Sequence, residues 1–535
     1  MGATLVGAVA DLAAKDPGAT AVLEKRFGIW VERSIGDLAA DAGRLAAGLR
    51  AAGVGPGEVV GLIVSARLEW ITLDLAIQAA GATTLALPAA VGHEDVARVL
   101  AETNVRTVVV EAQDQADVVL SAVETGSLPN LRSVVYIDPA GVSEYSSELL
   151  SSIEDLRGGT ETRLATTADP GDTAALVPRA SGLRDFSPVS HATLVLSARS
   201  TIEAASLTDR DRVIAVRTVA DPVDRGATIY AALLAGAVLA IPENAATVDS
   251  AIHEIAPTYV HLTERWLATQ AARITVRFDE NRGLKARLAS AWRRRTGSTL
   301  EKYGSAKPAR GLWHFLITLP ILEELGLEKA RVAVVSGQPT PRSVAGFFTA
   351  LGLPIHSALG VPELCGFAAM GAAGDVDGWV GSAMPGVEVS VESGTLQAST
   401  PATGTIDTGV AASESGDGYV AGVGTPEEAA ATRLRSIPVI ASAIVGDGAS
   451  TLVLELDGTI ASRWASNHRL DAATYRSFST LPEMQEGVAA LAAAVLERFG
   501  LTAGSIRMLP VPLHEVPDAL DFGDVPRGEV VATID

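Results

Sequence analysis

The sequence predicts an α/β protein: a large multi-sheet N-terminal α/β domain followed by a small C-terminal α+β domain. Three observations carry this. Amphipathic helical stretches alternate with short apolar runs through the first half, as expected for helices covering a largely parallel sheet. The chain has 535 residues, too many for one core, and is 48% hydrophobic, enough for well-packed cores. Beyond residue 415 the pattern changes to two strands and a helix, the content of a small α+β unit.

The elements follow in order. Residues Ile35 to Ala52 place Leu38, Ala42, Leu45 and Leu49 on one helical face, and the run Val59 to Val64 follows as a buried strand. A helix is predicted from about Leu68 to Ala80, then strands at Thr84 to Leu87, Arg106 to Val110 and Ser133 to Ile137. No solenoid repeat is present. Ala398 to Ser415 is rich in Ala, Ser, Thr and Gly and reads as a linker or degraded loop, so the domains are expected at 1–405 and 406–535. Strands at Val439 to Val445 and Thr451 to Leu456 and a helix at Glu486 to Phe499 complete the small domain.

Composition narrows the function. With 42 basic and 63 acidic residues the formal net charge is −21, unsuited to general nucleic-acid binding. The single cysteine, Cys365, excludes an internal disulfide and fits a reducing compartment; among small apolar neighbours it is expected to be buried and inert. The N-terminal residues carry neither a basic region ahead of an apolar run nor the hydroxyl residue of a myristoylation signal. The longest apolar run, Tyr230 to Pro242, falls short of a membrane span, so a cytoplasmic location is expected.

The stretch Val334 to Glu363 is the most informative. Ser336-Gly337-Gln338-Pro339, a helix, and then Leu359-Gly360-Val361-Pro362-Glu363 resemble the adenine-binding segment of the adenylate-forming (AMP-binding) superfamily, most closely the long-chain fatty acyl-CoA synthetases. The resemblance spans nearly the whole chain. Val219 to Arg225 is similar to the P-L-A-H-x-x-E-R signature with Asp221 at the His position, and Gly381 to Val389 is similar to the G-x-P-x-P-G-V-E strand. It implies an acyl-CoA synthetase-like fold and a vestigial nucleotide pocket at Ser181, Gly182, Ser336, Gly337, Gln338, Gly360 and Glu363, with Glu363 at the Mg²⁺-holding position.

Against that family the chemistry is depleted. The phosphate loop, T-S-G-T-T-G-x-P-K-G-V-x-L-T-H, uses glycines and hydroxyls to close backbone N–H groups around a polyphosphate. Between the expected strand and helix this chain has Pro178-Arg179-Ala180-Ser181-Gly182-Leu183-Arg184-Asp185-Phe186-Ser187-Pro188-Val189-Ser190-His191, without the Lys and with Asp185 and Phe186 gained. Ser181-Gly182 reads on its own as an ordinary turn and His191 as a helix-start residue. The adenine-stacking Tyr is Leu359, and the phosphate-contacting Thr is Pro362. The ribose clamp, T-G-D then D-G-Y, is Thr408-Gly409-Val410 then Asp417-Gly418-Tyr419, and valine accepts no hydrogen bond, a loss of about 1.5–3 kcal/mol per bond. The G-R-x-K hinge is missing after Tyr419, and Val525 stands at or next to the catalytic Lys position, with Arg527 the nearest cation. Ser336 precedes a glycine turn outside any G-x-S-x-G elbow, which argues against hydrolase chemistry.

Asp185, Val410 and Val525 are thus the degenerate catalytic positions, and the resemblance implies an acyl-CoA synthetase-like protein of lipid metabolism that is inactive as a ligase. On this reading it takes no cofactor and acts by holding a fatty acyl ligand, or as a regulatory or scaffold subunit. The alternative is an active long-chain fatty acid–CoA ligase using ATP, Mg²⁺ and CoA.

One segment departs from the acidic average. Arg273 to Arg310 carries eleven basic and three acidic residues, with Leu284, Leu288 and Trp292 at helical spacing before Arg293-Arg294-Arg295. It reads either as a solvated insertion or as a helix docking on a protein partner or an anionic membrane. If it docks, each basic residue near an anionic surface contributes roughly 1 kcal/mol. Reversing Arg293, Arg294 and Arg295 to Glu is expected to abolish low-salt co-sedimentation with anionic liposomes, or co-purification of a partner from lysate; equal recovery of wild type and mutant in both assays would mark a solvated insertion.

Overall fold

A computed structural model describes residues 3–142, 145–157, 163–179, 182–280, 313–337, 340, 342–373, 379–415, 418–421, 426–435, 437, 439–446, 451–467, 474–498, 500–502 and 504–510. Among the described residues the architecture is mixed α/β with three sheets.

The helices and strands of the first half form where the apolar spacing places them. Ser34 caps the helix Ile35–Ala51 by accepting from the Asp37 N–H at 3.0 Å, and Leu38, Ala42, Leu45 and Leu49 all lie in the core. The strands Val59–Ile63, Thr83–Leu87, Thr107–Val110 and Ser133–Tyr136 fall within two residues of their expected limits. They belong to a seven-stranded sheet with spatial order Leu150–Ser152, Ser133–Tyr136, Thr107–Val110, Val59–Ile63, Thr83–Leu87, Thr173–Arg179, Gly182–Ser190. All pairs are parallel except the last, which is a hairpin.

The second sheet has thirteen strands. Its parallel centre runs Thr20–Arg26, Val238–Ile241, Arg212–Ile214, Tyr259–Thr263, Val332–Ser336, Ile355–Val361. Antiparallel strands extend it, from Gly366–Met370 onward at one side and Ile29–Ser34 at the other. Ligand sites in open α/β sheets lie at the carboxyl ends of the parallel strands. Here those ends bring Thr263, Ser336 and Val361 to one rim.

A buried ion pair joins the two large sheets. Arg225, on the π-helical turn Arg225–Tyr230, donates through Nε to Asp74 Oδ2 at 3.0 Å, and its Nη2 bonds Asp74 Oδ1. Tyr230 and Thr84 hydroxyls also donate to Asp74, and the Trp70 ring lies 5.6 Å from the guanidinium carbon. Asp74 and Trp70 belong to the helix Leu68–Ala79 beside the seven-stranded sheet. Burial by itself lowers the Arg225 pKa, but Asp74 and Tyr230 raise it above the ordinary arginine value, so the cation persists.

The stretch expected as linker is instead sheet. Thr395–Thr400 and Gly404–Ser415 are antiparallel strands, and the second also pairs with Gly418–Ala421. Small and hydroxyl side chains tolerate this pairing because Leu396, Ala398, Ile406, Val410 and Ala412 contact the core. The division expected at 405/406 therefore falls inside a strand of the large sheet. The three-stranded sheet, Ile440–Val445, Thr451–Leu456 and Ser505–Met508, forms the small unit with helices that include Pro426–Arg435 and Pro482–Arg498.

Removing one member of the buried pair leaves the other charged and dry. Asp74→Ala should cost about 3–5 kcal/mol in a denaturant melt, and Asp74→Ala with Arg225→Met should cost less than Asp74→Ala alone.

Candidate functional site

The residues expected to form a phosphate loop fold as a hairpin. Arg179 pairs with Gly182 and Pro178 with Phe186, so Leu183, Arg184 and Asp185 bulge from the ladder. The loop becomes a strand because Leu183 and Phe186 pack on the core of the seven-stranded sheet, and Arg98 Nη2 donates to the Leu183 carbonyl at 3.0 Å. Gly182 is thereby a ladder residue; Ser181 lies outside the described residues. The bulge turns Asp185 toward Arg179, whose Nε is 3.4 Å from Asp185 Oδ2 and 3.9 Å from Glu363 Oε1. A guanidinium therefore stands between the acquired carboxylate and the retained one. Glu363 sits on the short turn Pro362–Leu364 with 16% of its side chain exposed.

Around this ion cluster the remaining positions are closed. Leu359 is buried and pairs with Ala369, while a Cβ built on Gly360 would stand 3.0 Å from Val223 Cγ2, so Gly360 permits a close helix approach. Val410 packs on the main core. Asp221, at the family's His position, caps the next turn by accepting from the Val223 N–H at 2.8 Å and from Arg217 Nε at 2.7 Å. Burial tends to raise its carboxyl pKa, but Arg217 beside it holds it below the usual value. His191 opens the helix His191–Ala205, buried, with its pKa lowered by burial. Cys365 is fully buried and its thiol is pushed up to about 12 by burial. Gln338, Val525 and the segment 281–312 lie outside the described residues. Among the described residues no group of three or more His, Cys, Asp or Glu is arranged to hold a metal.

The fold also assembles a group that sequence reasoning missed. His261 Nδ1 is 3.0 Å from Asp224 Oδ1, and its Nε2 is 2.7 Å from Ser336 Oγ. Asp224 and His261 are completely buried, and Ser336 is 6% exposed. Phe367 meets the imidazole edge-on at 5.1 Å between ring centroids, and Thr228 Oγ1 lies 3.5 Å from Nδ1. A carboxylate on Nδ1 places the proton there and leaves Nε2 to accept from the serine. Beyond Ser336, Gly337 takes φ +97°, and a Cβ built on it meets nothing within 4 Å. That left-handed turn favours glycine.

Where the small unit meets the large one, Arg265 Nη2 is 2.8 Å from Glu455 Oε1 and Arg435 Nε is 3.5 Å from Glu264 Oε2. Glu264 and Arg435 are both buried. Burial raises the Glu264 pKa to about 7 despite Arg435 and Arg265, and burial likewise lowers that of Arg435 despite Glu264. Desolvation thus outweighs attraction for both partners.

The AMP-binding enzyme family model matches residues 9–404. A long-chain-fatty-acid–CoA ligase of Mycobacterium bovis, FadD15, is 29% identical over 174 residues, which is 32% of this chain and 26% of that relative's length. Among solved structures, the anthranilate CoA ligase AuaEII, in complex with anthranoyl-AMP, superposes with TM-score 0.68 at 16% identity, covering 96% of this chain and 95% of that one. A benzoate CoA ligase from Burkholderia xenovorans gives TM-score 0.68 at 15% identity, covering 95% and 96%. The N-terminal domain of FACL13 from Mycobacterium tuberculosis gives 0.60 at 16% identity, covering 78% and 98%.

Glu264 makes stability pH-dependent. Its folded pKa of about 7 lies above the ordinary 4.5, so its neutral form suits the fold and its contribution is fully present below pH 4.5 and lost as pH rises toward 7. Wild type is expected to lose up to about 3 kcal/mol through this group between pH 4.5 and 8, and Glu264→Gln to flatten the profile in thermal melts across that range.

Proposed function

This chain belongs to the AMP-binding enzyme family, and from that membership we propose an acyl-CoA synthetase-like protein of lipid metabolism that has lost the ATP-dependent ligase reaction and serves by holding a fatty acyl ligand. The observation that carries the reading is Arg179 set between Asp185 and Glu363. In an active ligase a carboxylate at the Glu363 position serves a cation bridging the phosphates, whereas here it faces a guanidinium. The residues at these positions do not fit a magnesium–triphosphate group. Asp185 repels polyphosphate, the described residues of the hairpin pair as strand rather than closing a cradle of N–H groups, and Arg179 competes for the one carboxylate kept.

Each defect taken singly is worth on the order of 10²–10³ in rate, and losses within one reaction are not additive. What favours inactivity is that they touch phosphate, adenine and ribose contacts together. A cytoplasmic location and docking through residues 273–310 on a protein partner or an anionic membrane belong to the same proposal.

The second reading, an ATP-dependent long-chain fatty acid–CoA ligase, is favoured by the retained Glu363 and by the 29% identity to the mycobacterial ligase over 174 residues. Isothermal titration with MgATP separates the two. No saturable heat is expected in the micromolar range, and ATP–pyrophosphate exchange with C8–C18 fatty acids should not exceed a heat-killed control; a micromolar isotherm with exchange above that control establishes the ligase.

A further inference from the structure

Against the expectation from Ser336's place outside a G-x-S-x-G elbow, we propose that Asp224, His261 and Ser336, brought together only by the fold, form a hydrolytic triad that cleaves an acyl ester or thioester without ATP. The inference does not depend on the nucleotide reading, because the step uses neither phosphate nor metal.

The geometry has the required polarity. In hydrolases of this kind a carboxylate holds the imidazole in one tautomer, and the opposite ring nitrogen takes the serine proton. Asp224 Oδ1 at 3.0 Å from Nδ1 and Ser336 Oγ at 2.7 Å from Nε2 reproduce both contacts. Asp224 Oδ2 has no hydrogen-bond partner among the described residues, so the carboxylate's charge is left largely to the imidazole. The edge of Phe367 fixes the ring plane. Asp224 immediately precedes the π-helical turn Arg225–Tyr230, a conformation found disproportionately at functional sites.

Placement agrees with the chemistry. Ser336 ends its strand at the carboxyl-end rim, His261 lies mid-strand on the adjacent parallel strand, and Ser336 is the member of the three with exposed surface. Gly337, at φ +97°, follows the hydroxyl residue, and its N–H belongs to the position that donates to the oxyanion in α/β hydrolases. A buried hydroxyl needs only one hydrogen-bond partner to be satisfied. A purely structural serine would not require a carboxylate held behind its partner imidazole.

The step balances. Ser336 Oγ bonds to the acyl carbonyl carbon as its proton passes to His261 Nε2. The carbon–sulfur or carbon–oxygen bond then breaks, and the imidazolium protonates the leaving thiolate or alkoxide. Water attacks the acyl-serine with His261 as base, the serine oxygen leaves and regains the proton, and a carboxylic acid is released. Asp224 acts as a positioning residue through His261.

The full chain is tested without ATP and with EDTA on p-nitrophenyl octanoate and octanoyl-CoA, and with a fluorophosphonate probe followed by peptide mapping. The expected result is covalent label on Ser336 and turnover of at least one substrate, the pair of assays identifying the leaving group. Ser336→Ala and His261→Gln should each lower kcat/KM on the order of 10³-fold, and Asp224→Asn should lower kcat with KM unchanged. The labelling needs no variant, so a misfolded His261→Gln does not blunt the test. Unlabelled Ser336, or equal turnover by wild type and a Ser336→Ala protein with an unchanged melt, overturns the proposal.

Discussion

The buried contact between Arg225 and Asp74 is the constraint on which the rest of this molecule depends. It is the charged joint between the helix beside the seven-stranded sheet and the π-helical turn over the thirteen-stranded one. A desolvated ion pair of this kind is weak support for stability by itself, since two charges must be stripped of water before they meet. Its value is positional. Asp74 collects Arg225, Tyr230 and Thr84, which fixes the turn that begins at Arg225 and therefore the carboxylate of Asp224 one residue earlier. His261 and Ser336 take their register from the parallel pairing of Tyr259–Thr263 with Val332–Ser336, and Asp224 meets them from the turn that this joint holds.

Much of the fold was legible because apolar periodicity is local. The helix Ile35–Ala51 and the strands Val59–Ile63, Thr83–Leu87, Thr107–Val110 and Ser133–Tyr136 announce themselves within windows of a few residues. Composition misled where pairing decided. Ala398 to Ser415 looks like a linker, yet the strand Gly404–Ser415 is held by neighbours on both sides, information that no short window contains. The same holds for the hairpin at Gly182–Ser190: hydroxyl and glycine residues suggested a loop, while Phe186 and Leu183 had a core to enter.

The candidate site was legible only in part, for a related reason. Motif comparison finds positions that lie close together in sequence, and it located Glu363, Ser336 and Asp185. It does not reveal that Arg179 reaches across to both carboxylates, because that contact depends on a three-residue bulge. Nor does it reveal the Asp224, His261 and Ser336 group, whose members are 37 and 75 residues apart along the chain. Asp224 was seen as part of a signature and Ser336 as part of a nucleotide loop. His261 gave no signal beyond being a histidine within an apolar strand.

The two polar clusters at this rim follow opposite electrostatic logic. At the phosphate-loop positions the charges cancel: Arg179 and Asp185 are about half exposed, and such pairs contribute about 0–1 kcal/mol, so nothing there stores free energy for a reaction. At Ser336 the arrangement is dry, with one carboxylate oxygen committed to the imidazole and the imidazole committed to the hydroxyl. In a low-dielectric setting that asymmetry is strong, because proton transfer from serine creates an imidazolium directly beside a carboxylate. The rim thus carries a half-exposed ion cluster at Arg179 and a buried, directed hydrogen-bond chain from Asp224 through His261 to Ser336.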